Sequence, residues 1–309
     1  MRSSRGGRRD RRGLPRRCQA VPRRPDADAA VTPSPRYRLA HLSDVHFGKI
    51  AHPEVVEALV EEVNAAETDL VVVSGDLTQR ARTHQFKAAK AMLDAFESPT
   101  LVVPGNHDVR AWWHNPIERV FQSSSRFARF ITDDLTPTFT RPGLAVFGLN
   151  SAHGLTIKGG KIRPRHLEAM QDFFGAQPAG TFRVLVLHHH LLRLQALGDH
   201  DIARGAKHAL RAAGASGVDL ILCGHLHTSH VEHAEIVPPS EADPAGHSLV
   251  IASAGTATSS RGRGQDREVN FYNWITVEAE RFIIEERRFE REEHAFAEAR
   301  TTAFHRADG

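Results

Sequence analysis

The stretch that decides the fold is "DLVVVSGD", residues 69–76. Its apolar run, Leu70 to Val73, has no polar break, so a strand there is covered on both faces. Runs of this kind belong to parallel sheets flanked by helices, whereas a half-exposed antiparallel strand alternates. The run ends in Ser74, Gly75 and Asp76, which puts a carboxylate at the mouth of a buried strand.

The flanks agree. Upstream, "HPEVVEALVEEVNAA" (52–66) sets Pro53 at a first helical position and Val55, Val56, Leu59, Val60 and Val63 on one helical stripe. Before it, "RYRLAHLSD" (36–44) reads as a strand. Downstream, residues 83–97 form a second helix with Phe86, Ala89, Leu93 and Phe96 on one side, and "SPTLVVP" (98–104) reads as a third strand. The β-α-β-α-β order predicts parallel strands joined by helical crossovers, an α/β fold. Further on, the pattern predicts a helix near 116–131, a strand in "GLAVFGLN" (143–150) and a helix over 164–174. It then predicts a strand in "FRVLVLHHH" (182–190), a helix over 203–213 and a strand in "GVDLILCGHLH" (217–227). From about residue 229 four β segments follow without helices between them. Residues 289–309 read as a charged C-terminal tail that frays.

The chain has 309 residues, 40% of them hydrophobic, enough for one large domain, which we place at 36–288. Residues 1–35 hold ten Arg against three Asp, are poor in apolar side chains, and read as a disordered Arg/Pro-rich extension. The formal net charge of +3 therefore belongs to that extension, and the remainder carries −4. A nucleic-acid partner is accordingly not favoured. No apolar run approaches the ~20 residues of a membrane span. Only Cys18 and Cys223 are present, so a disulfide framework is not expected; a reducing compartment, the cytoplasm, is.

One apolar run after another ends in residues that bind metals. They are Asp44 and His46, then Asp76, then Asn106, His107 and Asp108, then His188, then His225 and His227. In open α/β sheets, sites form beyond the carboxyl ends of the strands, so these segments would converge. Carboxylate, imidazole and amide oxygen suit Mn, Fe, Zn, Co or Ni better than a soft thiolate site would. Seven candidate ligands among them are too many for one tetrahedral ion. They suit two ions sharing a carboxylate, with Asp76 as the bridge. Gly75, Gly105 and Gly224 would let the backbone turn before each ligand.

The motif set D-x-H, G-D, G-N-H-D, H and G-H-x-H resembles that of the calcineurin-like metallophosphoesterase superfamily. Within it, the chain is similar to bacterial class III cyclic-nucleotide phosphodiesterases. The resemblance covers roughly residues 36–288. It implies a four-layer α/β/β/α sandwich of two mixed sheets, the metallo-dependent phosphatase fold. It implies that Asp44, His46, Asp76 and His227 hold one ion, and Asp76, Asn106, His188 and His225 a second. Here the family's habit of placing the ligand first after the strand selects His188, with His189 and His190 as runners-up. The ions would be two divalent or mixed-valence metals, Mn, Fe or Zn. The implied activity is hydrolysis of a phosphodiester, a cyclic nucleotide or similar small diester, through a hydroxide bridging the metals. His107 would be catalytic, as proton donor or charge stabiliser, and with Asn106 would touch the substrate. A DNA-repair-type nuclease and a non-catalytic scaffold are the alternatives, and a homo-oligomer stays open. One departure stands out: protein serine/threonine phosphatases carry G-D-x-x-D-R-G, whereas this chain has "GDLTQRA", with Gln79 at the second acidic position.

Four further features lie near these motifs. Asp108 reads first as a turn cap and second as a functional carboxylate. Lys158, Lys161, Arg163 and Arg165 in "TIKGGKIRPR" (156–165) read as a solvated basic loop before a phosphate cradle. Cys223 reads as a buried core thiol. Trp112 and Trp113 read equally as pocket wall and as core anchors.

Overall fold

The central strand of the quoted stretch, β2 (Leu70–Val73), is buried along its whole length. Its side chains divide between two cores, as period-two geometry requires. Leu70 and Val72 face one set of apolar partners, Val71 and Val73 another. A computed structural model describes residues 36–109, 124–153, 159–194, 198, 200–237, 247–262 and 268–306. These belong to a single compact unit, Ser34–Gly309. The N-terminal extension, Trp112, Trp113 and Lys158 lie outside the described residues.

β2 pairs in parallel with β1 (Tyr37–Leu42) on one side and β3 (Thr100–Val102) on the other. The crossovers are α1 (Pro53–Ala65) and α2 (Thr83–Ala95). α1 buries Val55, Leu59 and Val63, with Val56 and Val60 packed at the margin. α2 buries Phe86, Ala89 and Leu93, and Phe96 follows at its C-cap. A short α3 (Ser125–Phe130) adds Phe127 to the same core, where it meets Phe86 edge-on. Each fully buried Leu or Phe contributes roughly 1.5–3 kcal/mol, which is what holds the helices to the sheet.

The second sheet is built from β4 (Thr138–Arg141), β5 (Leu144–Gly148), β6 (Phe182–Val186), β7 (Leu220–Cys223), β8 (His230–Val237) and β9 (His247–Ser253). Its spatial order is β4-β5-β6-β7-β9-β8, with parallel pairs at the centre and an antiparallel strand at each edge. β4 was not expected from the sequence; its residues are largely exposed, so it carries no apolar run. α4 (Pro164–Gly175) and α5 (Ala206–Ala215) cover the outer face through Met170, Phe174, Ala209 and Ala213.

The first sheet is completed by β10 (Phe271–Val277), β11 (Arg281–Glu290) and β12 (Ala295–His305), in the order β12-β11-β10-β1-β2-β3. Leu39, Leu70, Val72 and Ile284 from this sheet share one core with Val184, Val186, Leu220 and Leu222 from the other. The layers are therefore helix, sheet, sheet, helix, as the resemblance implied.

One expectation fails. Residues 289–306 are not a fraying tail: β12 pairs antiparallel with β11 from Ala295 to His305. Phe296 is buried against Tyr272 and Phe289, and Phe304 stacks on Phe282. The charged residues between them are the solvent side of an edge strand, a common protection against edge-to-edge pairing.

Candidate metal centre

Five strands end at one place. β1, β2 and β3 of the first sheet and β6 and β7 of the second deliver their C-terminal loops to the same cleft between the sheets. The loops that follow them carry Asp44 and His46, Asp76, Asn106 and His107, His188, and His225 and His227. All seven expected ligands come together there, most of them wholly buried.

The backbone is bent to achieve this. Asp44, His46, Asp76, His225 and His227 all have positive φ, between 52° and 73°. Left-handed conformations cost non-glycine residues about 1 kcal/mol or more each and cluster at functional sites. Gly75 has φ +99°, as the turn reading supposed. Gly105 and Gly224 instead serve close approach: a Cβ on Gly105 would lie 2.1 Å from Asp76 Oδ1, and one on Gly224 1.7 Å from Ser43 Oγ.

The donor atoms form two adjoining sets. In the first, Asp44 Oδ1 lies 3.3 Å from His227 Nε2 and 3.5 Å from His46 Nε2, and His46 Nε2 lies 3.6 Å from Asp76 Oδ2. In the second, the same Asp76 Oδ2 lies 3.4 Å from His188 Nε2, which is 3.1 Å from Asn106 Oδ1 and 3.3 Å from His225 Nδ1. His225 Nδ1 closes the group at 3.0 Å from Asn106 Oδ1. Four ligands ~2.1 Å from a tetrahedral ion stand roughly 3.4 Å from one another, so both sets have the spacing of a coordination shell.

Unmet valence supports the fit. Asp44 Oδ1, Asp76 Oδ2 and His46 Nε2 are buried and have no hydrogen-bond partner. Buried orphans of this kind are rare and call for an ion or water. Meanwhile the opposite atoms of the same side chains are held. Asp44 Oδ2 accepts from Ser43 Oγ (2.7 Å) and the His225 backbone N–H (2.8 Å). Asp76 Oδ1 accepts from the His107 backbone N–H (2.8 Å). His188 Nδ1–H donates to the Ser74 carbonyl (2.8 Å), which fixes the tautomer that leaves Nε2 free to ligate.

Charge reinforces the arrangement. Burial alone would raise the carboxyls of Asp44 and Asp76, but the surrounding imidazoles, His227 and His188 foremost, outweigh it and hold both well below the usual range. Burial disfavours imidazolium at His188, yet the Asp76 carboxylate lifts it to about 9. Burial pushes His225 down to about 3 and His227 to about 4. Those two are neutral imidazoles at physiological pH, the form that binds metals.

The "HHH" run resolves by direction. His188 continues the face of Val184 and Val186, which points between the sheets. His189 hydrogen-bonds Ser151 through Nδ1 (2.9 Å), while its Nε2 is buried without a partner and its ring stands 4.7 Å from that of His225. His189 thus belongs to a further cluster with His188 and His225 that spacing could not resolve. His190 turns away, to the Gly224 carbonyl, Ser253 and Cys223.

His107 lies edge-on to His46, ring centroids 4.9 Å apart, and outside both donor sets. Its Nδ1–H donates to the Gln79 carbonyl (2.7 Å), and burial lowers its pKa. Asp108 is a structural clamp. Its carboxylate accepts from the backbone N–H groups of Leu77, Thr78 and Gly105 and from Thr78 Oγ1, which locks the Asp76 loop to the Asn106 loop. Lys161, Arg163 and Arg165 are exposed and border a separate cleft of ≈680 Å3 that also holds Asp133 and Asp134. Cys223 is a buried free thiol, and burial raises its pKa.

Comparison with known proteins gives the family. The profile of the family described as Calcineurin-like phosphoesterase matches residues 37–229. A glycerophosphodiester phosphodiesterase, GpdQ, of Enterobacter lignolyticus is 30% identical over 206 residues, covering 61% of this chain and 70% of the relative. A 3',5'-cyclic adenosine monophosphate phosphodiesterase, CpdA, of Haemophilus influenzae is 25% identical over 213 residues, 62% of this chain and 70% of the relative. Among solved structures, a dimetal phosphatase from Danio rerio superposes with a TM-score of 0.61 at 10% identity, covering 89% of this chain and 100% of its own. That likeness concerns the fold. The chain belongs to the calcineurin-like phosphoesterase family and is a metal-dependent phosphoric ester hydrolase.

Proposed function

We propose that the protein hydrolyses small phosphodiesters at a binuclear metal centre. Asp44, His46, Asp76 and His227 hold one ion; Asp76, Asn106, His188 and His225 hold the other. The observation that carries this reading is the orphaned Asp76 Oδ2, which lies within 3.6 Å of ring nitrogens from both donor sets. Manganese, iron and zinc all match the donors. When bound, the ions supply Lewis acidity that activates water and neutralises the phosphoryl oxygens.

The chain's own residues do the rest. Asn106 adds a neutral oxygen and so completes a shell without adding charge. With Nδ1–H committed to Gln79, His107 has Nε2 left for the substrate, and protonated there it donates to the leaving oxygen. The diester preference is supported by the names of the GpdQ and CpdA relatives and by Gln79 in place of a second acid. A cytoplasmic location accords with the two cysteines of the chain, and no described helix is long and apolar enough to cross a membrane.

Two measurements test the reading. Metal titration of the chelator-treated protein should saturate near two ions per chain, and Asp76→Asn should weaken both at once. Full activity with a single ion would exclude the shared carboxylate. The reconstituted enzyme should show a higher kcat/KM for bis(p-nitrophenyl) phosphate than for p-nitrophenyl phosphate; the reverse order would exclude the diester preference. Cleavage of plasmid DNA in place of small diesters would favour a nuclease.

A further inference from the structure

A second pocket, ≈390 Å3 in volume, borders the ligand loops and carries Lys49, Arg80, Arg82 and Arg261 on its walls, with Gln79 and Gln85 between them. Among the described residues no acidic side chain lines it, and none of the four cations is paired with a carboxylate. Like charges gathered without a counter-charge destabilise a fold, so such a cluster calls for an anion.

The pocket is rigidly built onto the metal centre. Lys49 follows ligand His46 by three residues, and Gln79 follows Asp76 by three. The two loops are stitched together by Phe47 N–H to the Leu77 carbonyl (2.9 Å) and Gln79 N–H to the Phe47 carbonyl (3.0 Å). The third loop joins through Ser260 N–H to the Lys49 carbonyl (3.1 Å) and Ala51 N–H to the Thr258 carbonyl (2.8 Å). Buried Gln85 accepts from the backbone N–H groups of Arg80 (2.9 Å) and Arg82 (3.3 Å), which fixes the strip carrying both guanidinium groups. The Gln79 carbonyl that holds His107 belongs to the same wall, so the pocket opens beside the His107 side of the centre.

We propose that this pocket binds a second, non-scissile phosphate of the substrate, so that the preferred substrates are small phosphodiesters carrying a further phosphoryl group. The inference rests on the proposed phosphodiesterase reading. Three guanidinium groups suit a phosphate better than a carboxylate, because their forked donors match its several oxygens.

The test uses the metal-loaded protein and thymidylyl-thymidine, either unphosphorylated or with one terminal phosphate at its 5′ or its 3′ end. Product is quantified chromatographically, and binding is measured by calorimetry on the chelator-treated protein. One phosphorylated form should show kcat/KM at least about tenfold higher than the unphosphorylated one, the worth of a charge-assisted contact. It should also bind more tightly. In Arg80→Gln/Arg82→Gln, whose side chains are exposed and whose backbone anchors on Gln85 remain, that ratio should fall towards one. A general structural lesion would lower all three substrates alike and keep the ratio, which would overturn the assignment. So would equal binding and turnover of all three by the unaltered protein. A preference that grows with oligonucleotide length, independent of terminal phosphate, would overturn it in favour of a nucleic-acid surface. Tighter binding of a phosphorylated form without turnover of any would uphold the pocket and overturn the phosphodiesterase reading instead.

Discussion

Asn106 and His107 are adjacent in the chain, yet they point into different chemistry. Asn106 Oδ1 lies among His188 and His225, whereas the His107 ring swings out to the Gln79 carbonyl and stands beside His46. Both sit in the turn that Asp108 N–H closes on the Gly105 carbonyl (3.3 Å), and their side chains leave that turn in different directions. It makes the two separable by mutation. His107→Ala should keep both ions and lower kcat by roughly 10²–10⁴, the worth of a positioned acid. The loss should be smallest for p-nitrophenol, which departs without a proton, and largest for an alkoxide leaving group. Metal content by elemental analysis and a leaving-group series check this; equal losses across the series would leave His107 a positioning residue. The backbone N–H of His107, which holds Asp76 Oδ1, survives the substitution, so the ligand geometry is not the variable.

β12 shows how an element can hide. Its pairing with β11 shifts register where Arg287 faces Glu298 and Glu286 faces Arg300, so Ala299 is an extra residue. Such a bulge reverses which face the following side chains occupy. Phe296 and Phe304 are an even number of residues apart, yet Phe296 packs in the core under the helices and Phe304 against the core between the sheets. The ion pair of Arg300 Nη2 with buried Glu286 Oε1 (2.9 Å) sits at the bulge. Phe296→Ala should destabilise by about 3–5 kcal/mol. The corresponding fall in Tm is of order 10 °C. Deleting residues 295–309 should do at least as much. Thermal melts in which both variants match the unaltered protein would mean that β12 adds nothing to the fold.

Histidines distribute an acid sensitivity through the whole molecule. His41 is fully buried between Ser74 and Asn273, and His190 between Gly224 and Cys223; burial holds each near 3. Unfolded, both take up a proton near the ordinary 6.5, so between about 6.5 and 3 the unfolded chain binds more protons and stability is lost as the pH is lowered. Asp44 and Asp76, held low, add stability above the ordinary carboxylate range that is lost on further acidification. His188 runs the other way. Raised to about 9, it contributes stability that is complete below 6.5 and lost as pH rises through 9. The chelator-treated protein should therefore have its highest Tm near neutrality, with a fall on either side. A Tm that is level from pH 4 to pH 9 would contradict the buried neutral histidines.

Most of the candidate site is legible in the sequence, because its signals are local. An apolar run of four or five residues reads as a buried strand, and a strand's end is where an α/β protein displays ligands. Asp44, His46, Asp76, Asn106, His225 and His227 could be picked out on that basis, and the crossover helices with them. The features that could not be read depend on direction and on distant partners. His188 differs from His189 and His190 only in which sheet face it continues, and that face is defined by packing of the second sheet on the first. Ala299 carries no mark of a bulge, because the bulge is a property of its pairing with β11. The four cations of the second pocket come from three loops far apart in the chain, and only the closing of β10 onto β1 brings Arg261 beside Lys49 and Arg80. Periodicity is written in neighbouring residues, whereas convergence is created by the sheets that bring distant loops together.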